Sequence, residues 1–501
     1  PSAPKGAIDE STDSYDTIDF LVKHVPNNNG RVGMWGISYP GFYAAAGAIN
    51  AHPALKAVSP QAPVSEWFIG DDFHHNGAFF LMDAFRFYSS FGQTRPKPTT
   101  VPAQGIDYGM PDAYRFYLEM GPIRNANARY FKGEIAFWND LIEHETYDAF
   151  WKARSLPPQL KGIRPAIMTV GGWFDAEDLY GPLHVYEAIE RLSPHVPRNM
   201  LVMGPWSHGG WSRTPGDALG NVHFGSATAE FYRNEVEFPF FQHYLKGTGP
   251  LDLPEAMVFA TGRNEWMQFD AWPPRNLERR SIYFGSTGRL GFTAPGEASG
   301  FDEYLSDPAR PVPHTAETTE QRSIEYMVED QRFAARRPDV LVFTSVPLAE
   351  DLTLAGPIEA ELFVETTGTD ADFVVKVVDV YPDDSQAASP RACAPPLGGF
   401  QQLLRWEVMR GKFRDSLERP RPFAPGVVTP VRITLQDVLH TFKKGHRIMV
   451  QVQSSMFPLV DRNPQTFVNI YEATESAFQK ATHRLHRSAK FPSRIVVGIL
   501  R

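Results

Sequence analysis

Three polar residues in the first half of the chain have the types and the order that nucleophilic catalysis requires. Ser38, Asp175 and His208 each follow a segment that is predicted to be a strand. In such a set the histidine takes the serine proton and returns it to the leaving group, while the aspartate orients the histidine and stabilises its charged form. A single histidine at a strand end is more often structural, and the chain has 15 histidines. The catalytic interpretation therefore depends on the agreement of order and placement among all three residues.

The sequence around Ser38 predicts a sharp turn between a strand and a helix. Residues 31–46 read RVGMWGISYPGFYAAA, in which an apolar run leads into a turn at residues 36–41 and then into an alanine-rich helical segment. Such a turn can expose a serine hydroxyl above a helix N-terminus, where a neighbouring base can activate it. The general motif is G-x-S-x-G, but here Pro40 takes the second glycine position and Gly41 follows it. The motif alone leaves an equal alternative, in which Ser38 is only a helix N-cap.

The pattern of apolar, aromatic and turn residues changes three times along the chain, which predicts three structural parts. Residues 1–70 and 163–272 alternate helical and strand segments, as in an α/β fold with a parallel sheet. The order serine, aspartate, histidine is that of α/β-hydrolases. Residues 71–162 are dense in aromatic side chains without strand alternation, which favours an inserted helical cap over a continuation of the main core. Residues 273–501 show period-two alternation with proline and glycine turns, which predicts a jelly-roll β-sandwich.

Composition excludes several kinds of partner. The chain has 49 Lys and Arg against 58 Asp and Glu, a net charge of −9, and no basic stripe, so we expect no nucleic-acid partner. No apolar run approaches the roughly 18 residues of a membrane-spanning helix, so we expect no membrane partner. Cys393 is the only cysteine, which excludes a disulfide within the chain and a cysteine-based zinc site. The redox compartment therefore cannot be read from the sequence.

Two acidic clusters accompany the candidate triad. One is Asp71 and Asp72, followed by His74 and His75, and the other lies in residues 175–178 (DAED). The ordinary interpretation of any one of these acids is a position near a helix N-terminus, where the dipole favours negative charge. A metal site at the first cluster is disfavoured, because side chains so close in sequence cannot all point to one centre. We therefore expect neither a metal ion nor a cofactor.

Four segments together resemble one enzyme family. They read GRVGMWGISYPGF, SEWFIGDDFHHNGAF, GGWFDAEDLYGPLHVYEA and LVMGPWSHGGW. They resemble the α-amino acid ester hydrolases of the CocE/NonD acyl hydrolases, which are more distant relatives of the X-prolyl dipeptidyl peptidases. The family motif at the serine is G-x-S-Y-x-G, and residues 36–41 match it. The resemblance covers the whole chain and implies an α/β-hydrolase core, an inserted helical cap and a C-terminal jelly roll.

The resemblance also implies a role for each candidate residue. It makes Ser38 the nucleophile, His208 the base and Asp175 the acid that orients it, with the backbone N–H of Tyr39 in the oxyanion hole. It implies that three acids bind the substrate's α-ammonium group, namely Asp72, Glu177 and Asp178. The implied reaction is hydrolysis or acyl transfer of esters and amides of α-amino acids, including β-lactam antibiotics with an α-amino acyl side chain.

Other functions remain open at this level. The resemblance also allows a cocaine-esterase-like carboxylesterase, a glutaryl-acylase-like enzyme or an X-prolyl peptidase, although finding all three acids favours the amino ester hydrolases. A second alternative is a catalytically silent fragment whose jelly roll is a binding or assembly module. The retained Ser38, Asp175 and His208 argue against that alternative.

The start of the chain is an exception to the expected pattern. Only 37 residues precede Ser38, whereas a full α/β-hydrolase has several strands before its nucleophile. The family's second oxyanion donor is a tyrosine hydroxyl from that region, and its match is not in this chain. We therefore expect a missing N-terminal segment or partner chain and an open sheet edge. The resemblance further implies a homo-oligomer such as a tetramer, and a bacterial periplasmic or secreted protein, with a cytoplasmic location left open.

Overall fold

The first half of the chain is built on a six-stranded sheet that has the Ser38 strand at one edge. The computed structural model describes residues 9–386 and 397–501, so Cys393 lies outside the described residues. Along the sheet the strands follow each other in chain order, and the last one runs antiparallel to its otherwise parallel neighbours. They are β1 (Val32–Ile37), β2 (Leu55–Gln61), β3 (Ala166–Gly172), β4 (Asn199–Gly204), β5 (Ala256–Ala260) and β6 (Glu265–Phe269).

Burial along these strands reflects their position in the sheet. Every residue of β3 and β4 is buried, as expected for apolar parallel strands covered on both faces. Strand β1 is only partly buried, and the Trp35 side chain is 58% exposed. Within residues 9–386 and 397–501, β1 pairs with β2 alone. The expected open edge is thus present, and the expected N-terminal strands that would pair with it stay a prediction.

Helices cover both faces of the sheet. The helix Glu10–His24 begins at Asp9, whose carboxylate accepts the backbone N–H groups of Ser11 and Thr12 in a capping box. The remaining elements of this part are the helices Tyr39–Gly47, Tyr180–Leu192, Gly210–Arg213, Thr228–Phe231 and Phe238–Lys246, the 3₁₀ turn Pro157–Gln159, the π-helical turn Tyr232–Glu237, and the short strands Ala218–Leu219 and Val222–His223.

The segment between β2 and β3 contains the helical cap. It comprises the helices Leu81–Phe91, Ala113–Met120, Ala136–Glu143 and Ala149–Arg154, the π-helical turn Ala126–Phe131, and a small hairpin of His74–His75 and Ala78–Phe79. Its aromatic side chains form a separate apolar cluster around Phe85 and Trp138. That cluster also includes Phe413 and Tyr471 from the C-terminal half, so the cap packs against the β-domain as well as the core.

The C-terminal half is a large β-sandwich, as predicted. Burial alternates along its longest strand, which fits a sheet with one face in the core. Its strands are Glu278–Gly285, Arg289–Gly291, Phe301–Ser306, Leu341–Thr344, Leu352–Thr366, Asp372–Val380, Gln401–Arg410, Thr429–Phe442, Arg447–Gln453, Ala481–His486 and Arg494–Leu500. Short helical turns lie at Ser286–Gly288, Tyr326–Val328, Arg332–Ala335, Gly411–Phe413 and Glu475–Ala477. None of the helices in the described part of the chain is long and apolar enough to cross a membrane.

Candidate active site

The turn after β1 holds Ser38 in a strained backbone conformation. Ser38 has φ 71° and ψ −130°, a region that residues with a side chain seldom adopt and that often marks a functional site. Ser38 occupies the N-cap position of the helix that follows, but its hydroxyl makes no capping hydrogen bond to that helix. A Cβ on Gly36 would lie 2.3 Å from the Pro40 carbonyl oxygen, and one on Gly41 would lie 2.4 Å from the Gln61 carbonyl oxygen. The close approach of strand and helix therefore requires both glycines.

The structure brings Asp175 and His208 into direct contact. Nδ1 of His208 lies 2.8 Å from Oδ2 and 3.0 Å from Oδ1 of Asp175. The backbone N–H groups of Glu177 and Asp178 donate to the same carboxylate at 2.9 and 3.0 Å. Burial opposes charge on both side chains, yet each stabilises the other, so the pKa of Asp175 is lowered. This geometry fixes the orientation of the imidazole ring and directs Nε2 away from Asp175.

The Ser38 hydroxyl and Nε2 of His208 each lie against a different acid of the DAED segment. The Ser38 hydroxyl donates to Oδ2 of Asp178 at 3.4 Å. Nε2 of His208 lies 3.4 Å from Oε2 of Glu177, within ion-pair distance. Burial disfavours the charged imidazolium, but the carboxylates of Asp175, Glu177 and Asp72 raise the pKa of His208 to about 9. Among the described residues, the hydroxyl and the imidazole thus face acids of the cluster and make no hydrogen bond to each other.

The three acids expected to bind ammonium lie together beside Ser38 and His208. The backbone N–H of Asp72 donates to the Glu177 carbonyl oxygen at 3.0 Å, which joins the two acidic segments. Removal from water and the charges of Glu177 and Asp71 hold the pKa of Asp72 well above its usual range. Burial and the charge of Asp72 do the same for Asp178. One carboxylate oxygen of Asp178, Oδ1, is buried without a hydrogen-bond partner in the described structure.

The residues of the disfavoured metal site do not point to one centre. Asp71 is buried and accepts hydrogen bonds from Ser65, Glu66 and Gly181, so it holds the loop in place. His74 hydrogen-bonds to the Trp67 carbonyl oxygen and the Tyr471 hydroxyl, and His75 hydrogen-bonds to Glu407. Both histidine rings therefore have partners away from Asp71. Across residues 9–386 and 397–501, no group of three or more potential ligands could hold a metal ion.

The backbone N–H of Tyr39 lies where an oxyanion donor is expected. Tyr39 is the first residue of the helix Tyr39–Gly47, and backbone N–H groups in a first helical turn have no intrahelical partner. They also carry the positive end of the helix dipole, which favours a developing negative charge nearby. The position next to Ser38 therefore suits stabilisation of an oxyanion.

The chain is similar to known proteins along almost its whole length. The profile of the X-Pro dipeptidyl-peptidase (S15 family) matches residues 4–210. The profile of the X-Pro dipeptidyl-peptidase C-terminal non-catalytic domain matches residues 249–496. The structure of an aminopeptidase from a marine sediment archaeon, Thaumarchaeota archaeon, is 40% identical, with a TM-score of 0.92 over 99% of this chain and 81% of that one.

Two further relatives specify the family. A solved α-amino acid ester hydrolase is 37% identical, with a TM-score of 0.93, and the match covers 100% of this chain and 82% of that one. The cocaine esterase of Rhodococcus sp. (strain MB1 Bresler) is 28% identical over 99% of this chain and 85% of its own length. The chain belongs to the CocE/NonD family of acyl hydrolases. It is a serine hydrolase.

In this CocE/NonD hydrolase, an arginine that no motif indicated reaches the acidic cluster. Nη2 of Arg322 donates to Oε1 of Glu177 at 2.7 Å, and Nε donates to Oδ2 of Asp83 at 2.9 Å. The Arg322 side chain is only 10% exposed. It comes from the long connection between the strands Phe301–Ser306 and Leu341–Thr344, and it lines a pocket of about 380 Å³ together with Asp72 and Glu177. The β-domain therefore contributes to the site.

A second arginine of the β-domain supports the loop that carries Asp175. The side chain of Arg405 is buried, and its guanidinium donates to the Trp173 carbonyl oxygen at 2.7 Å and to the Asp437 carbonyl oxygen at 3.0 Å. Trp173 is tied to the core sheet as well, because its indole N–H donates to the Phe259 carbonyl oxygen at 2.8 Å. No sequence signal identified either arginine, because both act across a domain boundary far along the chain.

Proposed function

We propose that this family member hydrolyses esters and amides of α-amino acids through an acyl-enzyme on Ser38. The single observation that carries the proposal is the cluster of Asp72, Glu177 and Asp178 beside Ser38 and His208. An α-amino acyl group places its ammonium one carbon from the carbonyl that the serine attacks. A cation-binding site next to the nucleophile therefore suits this class of substrate.

The electrostatics of the cluster favour a cationic ligand. Neighbouring carboxylates raise one another's pKa because they repel, and Arg322 contacts Glu177 alone among the three acids. Oδ1 of Asp178 is a buried acceptor that no donor of the described structure reaches. A substrate ammonium would supply both the missing charge and the missing donors. A neutral acyl group would leave Asp72 and Asp178 without an opposite charge, which disfavours its binding.

The proposed steps use the chain's own groups. Ser38 attacks the carbonyl carbon as its proton passes to Nε2 of His208, and Asp175 stabilises the imidazolium. The N–H of Tyr39 donates to the oxyanion. The imidazolium then protonates the leaving alcohol or amine. Water releases the acid from the acyl-enzyme, or an amine takes the acyl group, and a β-lactam nucleus is one such leaving group.

Charge removal at Glu177 tests the proposal. We expect Glu177→Gln to reduce the ratio of kcat/KM for phenylglycine methyl ester over its N-acetyl derivative by about 30-fold, the lower end of the cost of losing a charged hydrogen-bond partner, because the Glu177 side chain is only partly buried. The matched control is Glu187→Gln, which makes the same change at an exposed position of the helix Tyr180–Leu192. An unchanged ratio in Glu177→Gln would refute the ammonium site.

Peptide hydrolysis is the second candidate activity. The archaeal aminopeptidase is 40% identical to this chain, and an aminopeptidase also recognises a free α-amino group beside the bond it cleaves. Comparing turnover of an amino acid methyl ester, the matching p-nitroanilide and a dipeptide would rank ester and amide bonds. Cleavage confined to esters would exclude the peptidase.

A further inference from the structure

Ser38 and His208 each contact an acid that is proposed to bind the substrate, and they make no hydrogen bond to each other in the described part of the chain. The Ser38 hydroxyl donates to Asp178, and Nε2 of His208 lies against Glu177. Nε2 is the atom that must accept the serine proton. An unprotonated Nε2 and a carboxylate are both acceptors and repel each other, so the Glu177 carboxylate at 3.4 Å favours a proton on the ring. In that state the imidazole cannot act as a base.

We propose that Glu177 and Asp178 determine specificity by keeping Ser38 and His208 apart until a substrate ammonium takes both carboxylates. This inference rests on the proposed function, because it assigns the ammonium a second role at the same site. The ammonium not only anchors the acyl group but also releases the hydroxyl and the imidazole to meet. A substrate without an ammonium would meet a site whose base is still protonated.

The charges around His208 account for the change. The charged groups that act on its ring come from the loops after β2 and β3, namely Asp72, Asp175, Glu177 and Asp178. Arg322 from the β-domain acts on this set through Glu177. An ammonium bound among the acids cancels part of the negative charge that stabilises the imidazolium. The Nε2 proton then passes to solvent water, and the neutral ring can accept the Ser38 proton as the new O–C bond forms.

Arg322 is the positioning residue in this arrangement. It binds Oε1 of Glu177 and leaves Oε2 directed at His208. It also binds Asp83 on the cap helix Leu81–Phe91, so the position of Glu177 depends on cap and β-domain together. The carboxylate is therefore held in reach of both the imidazole and an incoming ammonium.

The experiment measures how fast an uncharged alkyl fluorophosphonate labels Ser38 at pH 7, followed by intact mass. This reagent carries no ammonium, so its rate reports the state of Ser38 and His208 alone. We expect methylammonium chloride to accelerate labelling of the native protein up to about 50-fold, because a base with a pKa about 9 is only about 1% neutral at pH 7. Tetramethylammonium chloride, which has no N–H donors, is the matched control and should have little effect.

A variant gives a second, independent result. Glu177→Gln removes the charge opposite Nε2, so we expect it to label faster than the native protein without methylammonium, while the exposed control Glu187→Gln labels at the native rate. Asp178→Asn weakens the hydrogen bond from the Ser38 hydroxyl, so it should also be labelled faster than the native protein. It replaces Glu177→Gln in the experiment if that variant does not fold.

The outcomes separate this inference from the proposed function. If methylammonium competes with an amino ester but does not accelerate labelling, the ammonium site is real and the triad-separating role is overturned. If Glu177→Gln labels no faster than the native protein, that role is overturned whatever methylammonium does. If Glu177→Gln keeps the native preference for amino esters, the proposed function itself fails.

Discussion

A methyl group added at Gly41 should inactivate the protein more than it destabilises it. The new Cβ would lie 2.4 Å from the Gln61 carbonyl oxygen and 3.0 Å from Cα of Pro63, both backbone atoms. The Gln61 carbonyl accepts the Ser38 N–H at 3.0 Å, so relieving the clash displaces the serine. Overpacking costs about 1–3 kcal/mol, and losing the hydrogen bond adds about 1 kcal/mol. A shift near 1 Å in the serine can cost about 100-fold in rate.

The assay compares Gly41→Ala with Gly47→Ala in the same helix. A Cβ on Gly47 would lie 2.9 Å from the Met34 sulfur and 3.0 Å from the Ser14 hydroxyl, which are ends of side chains that can move. We expect Gly41→Ala to label with the fluorophosphonate at least about 100-fold more slowly, and Gly47→Ala to keep a rate near that of the native protein. Thermal unfolding of both variants measures how much each substitution destabilises the fold. If Gly41→Ala were labelled at the rate of the native protein, the reasoning would be refuted, because the turn at residues 36–41 would then tolerate a side chain.

Two further predictions concern the β-domain and the pH profile. Arg410 is buried between Asp372 and Asp461, so Arg410→Met should cost about 3–5 kcal/mol in urea unfolding by leaving two buried carboxylates unpaired. Arg484→Met, at a partly exposed arginine that also bridges two acids, should cost at most about 1 kcal/mol, and equal costs would contradict the burial argument. Hydrolysis of a neutral ester should rise from pH 7 to pH 9, since His208 must lose a proton held with a pKa about 9, and a profile flat over that range would contradict this assignment.

The elements that carry the candidate nucleophile Ser38 could be predicted because their signals are local. An apolar run, a glycine-flanked turn and an alanine-rich segment predict β1 and the helix after it, and both are present. The ends of these elements are predicted less accurately. The sequence pattern predicts a helix to about His52 and a strand from Leu55 to Val64, but the helix ends at Gly47 and the strand ends at Gln61. Pro63 follows that strand, and its nitrogen has no hydrogen to donate to a neighbouring strand.

Other features depend on contacts that no local pattern encodes. Strands β5 and β6 were not predicted, and they join the sheet only because the chain returns to β4 after the helical segments of residues 210–246. Arg322 reaches Glu177 across 145 residues of sequence. The hydrogen bond from Ser38 to Asp178 spans 140 residues. The sequence predicts which acids accompany the serine, whereas the partner that each one holds follows from the packing of the cap and the β-domain.

When no N-terminal segment pairs with β1, the free edge of this strand affects how the protein loses activity. Strand β1 has a single neighbour in the described structure, and its exposed Trp35 contributes little to the core. Proteins open locally where few contacts hold a segment, at a free energy below that of global unfolding. Opening the β1–β2 ladder would displace Ser38 while the β-sandwich stays intact. Backbone amides of Val32–Ile37 should therefore exchange with solvent deuterium before those of β3 and β4, and mild denaturant should abolish activity before it changes the overall secondary structure.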